Sequence, residues 1–167
     1  MWIRTESQDD HAAIRDLLRA AFADAPGGGA VETHIVDALR DDDALSLSLV
    51  ADIDGRIAGV AVFSPVSIGD GASNWHGLGP VAVSPHDQRH GVGSALIRAG
   101  LAELADTGAA GCVVLGEPAY YGRFGFRAEP RLRHADAPAP YFQAIAFGET
   151  MAQGEVQYHP SFAQATV

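Results

Sequence analysis

The 167-residue chain is 47% hydrophobic and 19% charged, the make-up of a soluble domain able to bury a core, and one domain over 1–167 is expected. Eleven Lys and Arg against twenty-one Asp and Glu leave a net charge of −10, a field that repels nucleic acid and anionic membrane and attracts a cationic partner. No apolar stretch approaches the roughly 20 residues of a membrane span, and Met1-Trp2-Ile3-Arg4-Thr5-Glu6 lacks the build of a signal peptide, so a cytoplasmic location is expected.

In chain order, Ile14, Leu17, Leu18, Ala21 and Phe22 recur at helical spacing behind caps at Ser7 or Asp9, which predicts an amphipathic helix. Ala25-Pro26-Gly27-Gly28-Gly29 interrupts it, and Val31, Ile35, Val36 and Leu39 mark a shorter second helix ending in Asp41-Asp42-Asp43. Leu45, Leu47, Leu49, Ala51 and Ile53 alternate, Asp54-Gly55 is a tight-turn pair, and Ile57 to Phe63 is apolar, so a hairpin follows. Leu78 to Val83 reads as a further strand. After it come the loop Gln88-Arg89-His90-Gly91-Val92-Gly93 and a helix carrying Ala95, Leu96, Ala99, Leu101, Ala102 and Leu104, which Thr107-Gly108 ends.

Cys112 to Leu115 is the next strand, and the single cysteine in this apolar run reads as a small buried hydrophobe rather than a nucleophile. Strand, helix, strand make a right-handed crossover, which predicts that Leu78–Val83 and Cys112–Leu115 lie parallel and adjacent or nearly so. From Glu129 on, the pattern is weak until Glu155-Val156-Gln157-Tyr158-His159, a candidate last strand.

The chemistry concentrates in the glycine loop. A helix N-terminus exposes backbone N–H groups without helical partners, and the helix dipole adds positive potential there. Gly91 and Gly93 carry no side chains to hold an anion away, and Gln88 and Arg89 offer further donors, so the loop suits a pyrophosphate. The competing reading is a turn that merely lets strand meet helix closely; its position between a predicted strand and a predicted helix, with Gln at the first position of [QR]-x-x-G-x-[GA], favours the phosphate. A Walker loop would need Gly-Lys-Ser/Thr, and a dinucleotide fingerprint a third glycine with an acidic residue about twenty positions on. Neither is present in register.

These residues resemble the GNAT superfamily of N-acetyltransferases. The match comprises Gly79-Pro80-Val81-Ala82-Val83-Ser84-Pro85, then Gln88-x-x-Gly91-x-Gly93, then Tyr120-Tyr121-Gly122-Arg123-Phe124-Gly125-Phe126. Leu115-Gly116-Glu117-Pro118-Ala119 leading into that last segment, Tyr141-Phe142-Gln143-Ala144 and Gly154-Glu155-Val156-Gln157-Tyr158-His159-Pro160-Ser161-Phe162 are similar to its YhbS-like branch. The resemblance implies an α/β fold with a mixed, partly splayed sheet flanked by helices, and acetyl transfer from acetyl-CoA to a primary amine by direct attack. It implies that backbone groups of Gln88, Arg89, His90, Gly91, Val92, Gly93 and Ser94 hold the CoA pyrophosphate. Val81, Ala82 and Val83 would then lie along the pantetheine arm and acetyl carbonyl, where a donor stabilises the charge that develops on the oxygen.

The same resemblance places a tyrosine four residues before Gly125-Phe126, as a proton donor to the departing thiolate: Tyr121, with Tyr120 as its rival and one of the two expected to be core. Leu78 to Val83 lacks the glutamate that many relatives use as base. Glu32, on the helix that bounds the acceptor groove in the superfamily, is the candidate, with His34, His76 and Glu117 as alternatives. Glu32 reads equally as a solvated charge that suits a helix N-terminus.

No metal is expected, since Pro85 and the glycine loop keep His86 and His90 off a common helical face. Trp2 and Trp75 read as packing residues, and Asn74-Trp75-His76 could edge the acceptor site. The expected partners are acetyl-CoA and an amine, cationic by the charge argument; a monomer and a homodimer are both open. The alternative from another class is a CoA-binding sensor module without turnover.

Overall fold

A computed structural model describes residues 1–163. Its strands are β1 (Trp2–Thr5), β2 (Leu47–Ile53), β3 (Arg56–Ile68), β4 (Trp75–Val83), β5 (Gly111–Leu115), β6 (Arg127–Ala128), β7 (Leu132–Arg133), β8 (Phe142–Ala146) and β9 (Gly154–Gln157). The helices are α1 (His11–Ala21), α2 (Ala30–Asp41), α3 (Val92–Asp106) and the short α4 (Pro118–Tyr121) and α5 (Pro160–Ala163). The sheet runs β1-β2-β3-β4-β5-β8-β6, and β9 pairs with both β3 and β7. It is an open, mostly antiparallel sheet in a mixed α/β fold, with parallel pairing at β4–β5 and β7–β9.

Both faces of the central strands are covered, so side-chain alternation sorts residues between two cores. Leu47, Leu49, Ala51, Ala61 and Phe63 pack with Leu96, Ile97, Leu101 and Leu104 of α3. Val50, Val60, Val62 and Ala82 point the other way, onto Ile14, Leu17, Leu18, Ile35, Val36 and Leu39 of α1 and α2. The period-2 run read from Leu45 to Ile53 is thus the α3 face, except that Leu45 precedes the strand and packs on the α1–α2 side. Asp54 and Gly55 turn the hairpin with φ of 52° and 85°, the double left-handed geometry that an Asp-Gly pair supplies without strain.

Strand β4 departs from expectation where it matters. It begins at Trp75 rather than Leu78, and its parallel pairing to β5 covers Trp75–Gly111, His76–Cys112 and Gly77–Val113 alone. The segment that the crossover pattern set beside β5, Leu78–Val83, is the part that leaves it, as the partly splayed sheet of the resemblance implies. Between Ala61/Phe63 the β3–β4 register moves two residues on β3 but three on β4, from Val81 to Leu78. The extra residue is a bulge at Gly79-Pro80, which bends β4, and Pro80 has no N–H with which to continue a ladder. Sequence reading also passed over β8, whose Phe142–Ala146 pairs along all of β5.

The N-terminal edge is held by ion pairs. Arg4 makes a fork of 2.7 and 3.0 Å to Asp10, and Asp10 also accepts from the Ser7 N–H at 2.7 Å. Arg40 of α2 forks onto Glu6 at 3.0 and 3.1 Å. The Arg4 guanidinium beside Asp10 holds that carboxyl well below the usual carboxylate range. A depressed folded-state pKa gives stability that is present above about pH 4 and lost as pH falls below it. Asp10→Ala should therefore lower unfolding stability by about 3 kcal/mol at neutral pH and flatten the acid limb of the stability profile; urea titrations across pH test both.

Candidate active site

The site grows from the free edge of β4. Ser84 N–H donates to Ala58 O at 2.8 Å, which fixes the phase of the antiparallel ladder: Ala82, two residues back, turns its backbone groups to β3, and Val81 and Val83 turn theirs away. With β5 already parted, those groups face a cleft. The Val83 carbonyl accepts from the Gln88 side-chain amide at 3.1 Å, tying the loop to the strand. Arg56 of β3 grips Asp87 with contacts of 2.5 and 2.9 Å and so anchors the turn before the loop.

The loop then delivers α3 into the same cleft. Arg89 and Gly91 both take left-handed φ, 66° and 82°, and Gly91 caps the helix. The first turn offers the N–H groups of Val92, Gly93 and Ser94, and Ala95 is the first whose N–H closes onto the helix, at Gly91 O, 3.0 Å. Gly93 is cradled: a Cβ there would lie 3.0 Å from the Tyr120 hydroxyl oxygen. The cleft, about 550 Å³, is lined by Val81, Val83, Gln88, Arg89, Gly91, Val92, Gly93 and Ser94 of the expected set, and by Asp87, Tyr120, Tyr121 and Arg123. Ala82 and His90 are not among its walls: Ala82 is buried in the α1–α2 core and His90 is exposed.

The two tyrosines diverge as neighbours on one helical turn must, yet both line the cleft, so neither is simply core. Tyr121 packs its ring against Phe124 and Phe126 at 6.4 and 6.0 Å and over Gly116, where any Cβ would collide with it. Burial, reinforced by Tyr120, pushes the Tyr121 phenol up to about 12, so it stays protonated through the neutral range. Arg123, within the tyrosine segment, carries no role that the resemblance implies. It lies 4.7 Å over the Tyr120 ring and 3.3 Å from the Ser94 hydroxyl, bringing a positive charge to the α3 N-terminus.

A second cavity, about 210 Å³, opens where β4 leaves β5. Leu78, Gly79 and Pro80 of β4, Leu115 of β5 and Ile35 of α2 form part of its wall, and His134, Tyr158 and Phe162 complete it. Tyr158 sits against Gly77, where a side chain would strike its ring, and burial, with Cys112 and Tyr121 adding to it, raises its phenol above the ordinary value. These last three residues lie far along the chain from the loop motif, and only the fold brings them here.

Glu32 is half-buried on α2 and lines neither cavity, and its Oε2 is shut off from solvent with no hydrogen-bond partner among the described residues. The other candidates are engaged elsewhere. His76 lies 2.6 Å from Ser46 Oγ and 2.8 Å from Asn74 Oδ1, its pKa lowered by burial, and Glu117 caps α4. His34 is exposed. Asn74, Trp75 and His76 line neither cavity, and Trp75 is core at 2% exposure. Trp2, expected to pack, is 63% exposed, with the Arg4 guanidinium over its ring. Cys112 is fully buried and its thiol is pushed up by that burial. Among the described residues no group of three or more His, Cys, Asp or Glu could hold a metal, and no helix is long and apolar enough to cross a membrane.

Residues 2–128 match the family model described as an acetyltransferase (GNAT) domain. The chain belongs to the GNAT acetyltransferase family. The Escherichia coli protein named uncharacterized N-acetyltransferase YhbS is 40% identical to this GNAT chain over 128 residues, covering 75% of this chain and 73% of that protein. The solved YhbS structure, in complex with CoA, superposes with a TM-score of 0.89 at 34% identity, covering 97% of this chain and 91% of its own. A Brucella melitensis GNAT acetyltransferase in complex with acetyl-CoA gives 0.85 at 48% identity, covering 96% of this chain and 97% of its own. The chain thus falls in the YhbS-like branch.

Because the Tyr121 ring occupies the space beside Gly116, Gly116→Ala should displace it and cost about 1–3 kcal/mol in thermal or urea unfolding. A stability equal to the parent would contradict this packing.

Proposed function

We propose that this chain is an acetyl-CoA-dependent N-acetyltransferase that passes the acetyl group to a primary amine by direct attack in a ternary complex. The observation that carries the reading is the conjunction, in one cleft, of the unpaired edge of β4 with the unpartnered N–H groups of α3. A pyrophosphate meets Val92, Gly93 and Ser94 N–H groups at the positive end of the helix dipole, with Arg123 and Arg89 alongside. The pantetheine arm, which carries amide groups of its own, pairs with Val81 and Val83 as a strand would. CoA and acetyl-CoA in the structures of the two relatives support the same ligand here.

The chain's own residues then divide the proton work. The acceptor approaches through the second cavity, on the far side of the gap. Its nitrogen bonds to the thioester carbonyl carbon, the C–S bond breaks, and an N–H from β4 steadies the oxygen as charge builds on it. Glu32, with a carboxylate oxygen that has no donor among the described residues, takes the proton the amine must lose, and Tyr121 gives its phenolic proton to the departing thiolate. A phenol at about 12 remains a donor throughout the neutral range.

Tyr121→Phe should lower kcat about a hundredfold while leaving the acetyl-CoA Kd unchanged; thiol-release kinetics beside equilibrium binding separate the two effects, and an unchanged rate would remove Tyr121 from the reaction. Gly91→Glu places a carboxylate at the N-cap, facing the same N–H groups, and should raise the acetyl-CoA Kd at least about a hundredfold, since several charge-assisted bonds are lost together. Unaltered affinity would overturn the loop assignment.

A further inference from the structure

The acceptor side of the gap is apolar. Ile35, Leu78, Pro80, Leu115 and Phe162 supply most of the wall of the 210 Å³ cavity, and among the described residues no Asp, Glu, Lys or Arg lines it. Its one imidazole, His134, has Nδ1 at 3.0 Å from the Val156 carbonyl, so that nitrogen donates, and its ring meets Tyr158 edge-on at 4.8 Å. An ammonium or guanidinium tail placed there would give up water and meet no charged side chain among the described residues of the wall. Leu115, at the end of β5, is 50% exposed, so its apolar surface is available for a ligand to cover. Glu32 stands one helical turn before Ile35 on α2 and is not among the residues that line the cavity.

We propose that this cavity receives a neutral apolar group, of phenyl or branched-alkyl size, carried by the acceptor, so that the preferred substrates are hydrophobic primary amines rather than polyamines or lysine side chains. The proposal rests on the reading of the chain as an acetyltransferase. A cavity of about 150 Å³ can hold a benzene ring, and the present one adds room for the short chain that links a ring to its nitrogen. The net charge of −10 draws any amine toward the protein, whereas the cavity selects what the nitrogen carries. Specificity is then a difference in desolvation: an alkyl or aryl group gains by entering, and a second charge loses.

The test compares 2-phenylethylamine, 3-methylbutylamine, spermidine and a lysine peptide as acceptors with acetyl-CoA, using the native chain, Leu115→Arg and Phe162→Ala. The expected result is a kcat/KM for the two apolar amines at least tenfold above that for spermidine or the peptide. Leu115→Arg should lower it at least tenfold for the apolar amines and leave the acetyl-CoA Kd within twofold. Leu115 is half exposed, so the substitution spares the core, and Phe162→Ala is expected to act in the same direction. Preference for spermidine or the peptide would overturn the proposal, as would indifference of the apolar amines to both variants. Preference for butyryl-CoA over acetyl-CoA that Leu115→Arg abolishes would assign the cavity to the acyl chain and likewise overturn it. If no amine releases thiol, the transfer reading fails, and calorimetric titration of 2-phenylethylamine into the CoA-saturated protein decides the cavity separately: binding weakened tenfold by Leu115→Arg supports the assignment, and no binding overturns it.

Discussion

A strand in a sheet normally spends its backbone N–H and C=O groups on two neighbours, and β4 has only one along its last three residues. Everything distinctive about this molecule follows from that shortfall. The bulge at Gly79-Pro80 bends β4 off the line of β5, so the two pair over three residues and then diverge. Val81 and Val83 keep their backbone groups turned to the gap because the ladder to β3 is phased by Ala82 and Ser84. Leaving such groups unpaired away from water would cost about 1–3 kcal/mol each. A hydrated cleft removes most of that cost, and a ligand with amide groups of its own replaces the missing strand.

The rest of the site is arranged around this gap by packing. Helix α3 is fixed by Leu96, Ile97, Leu101 and Leu104 on one face of the sheet, and that burial aims its N-terminus at the open edge. Gly116 and Gly77 leave room for the Tyr121 and Tyr158 rings. These rings come from separate segments of the second half of the chain, yet both raised phenols belong to the region where β4 and β5 part. The gap therefore has a polar side, with Arg89, Arg123 and the helix N-terminus, and an apolar side, with Leu78, Pro80, Leu115 and Phe162. In the mechanism proposed above, the polar side holds a phosphorylated carrier and the apolar side sorts acceptors.

Much of this was legible before the fold was known, and the pattern of what was not is physical. The α3 helix and its loop could be read because capping and phosphate chemistry are local: Gly91, Thr107 and Gly108 act within a few residues of where they stand. The hairpin turn at Asp54-Gly55 was legible for the same reason. The splay came only from the family resemblance and not from the residue pattern, because the sequence of β4 looks like any apolar strand, although Gly79-Pro80 inside it is a bulge signal. Strand β8 was missed because Phe142, Gln143 and Ala144 are all buried, and buried Gln143 spends its amide on the Gly116 carbonyl at 3.2 Å rather than advertising an alternation. The second cavity was invisible for a different reason. It joins Ile35, Leu78, Leu115, His134, Tyr158 and Phe162, whose proximity is decided by tertiary packing alone.

The account stands or falls on the unpaired edge of β4. Residue-resolved amide hydrogen exchange, followed by NMR with and without saturating CoA, measures it directly. The account predicts that Ala82 is protected in both states, and that the Val81 and Val83 amides exchange readily in the free protein and gain protection of tenfold or more when CoA binds. Val81 and Val83 amides already protected in the free protein, or unchanged by CoA that demonstrably binds, would contradict it.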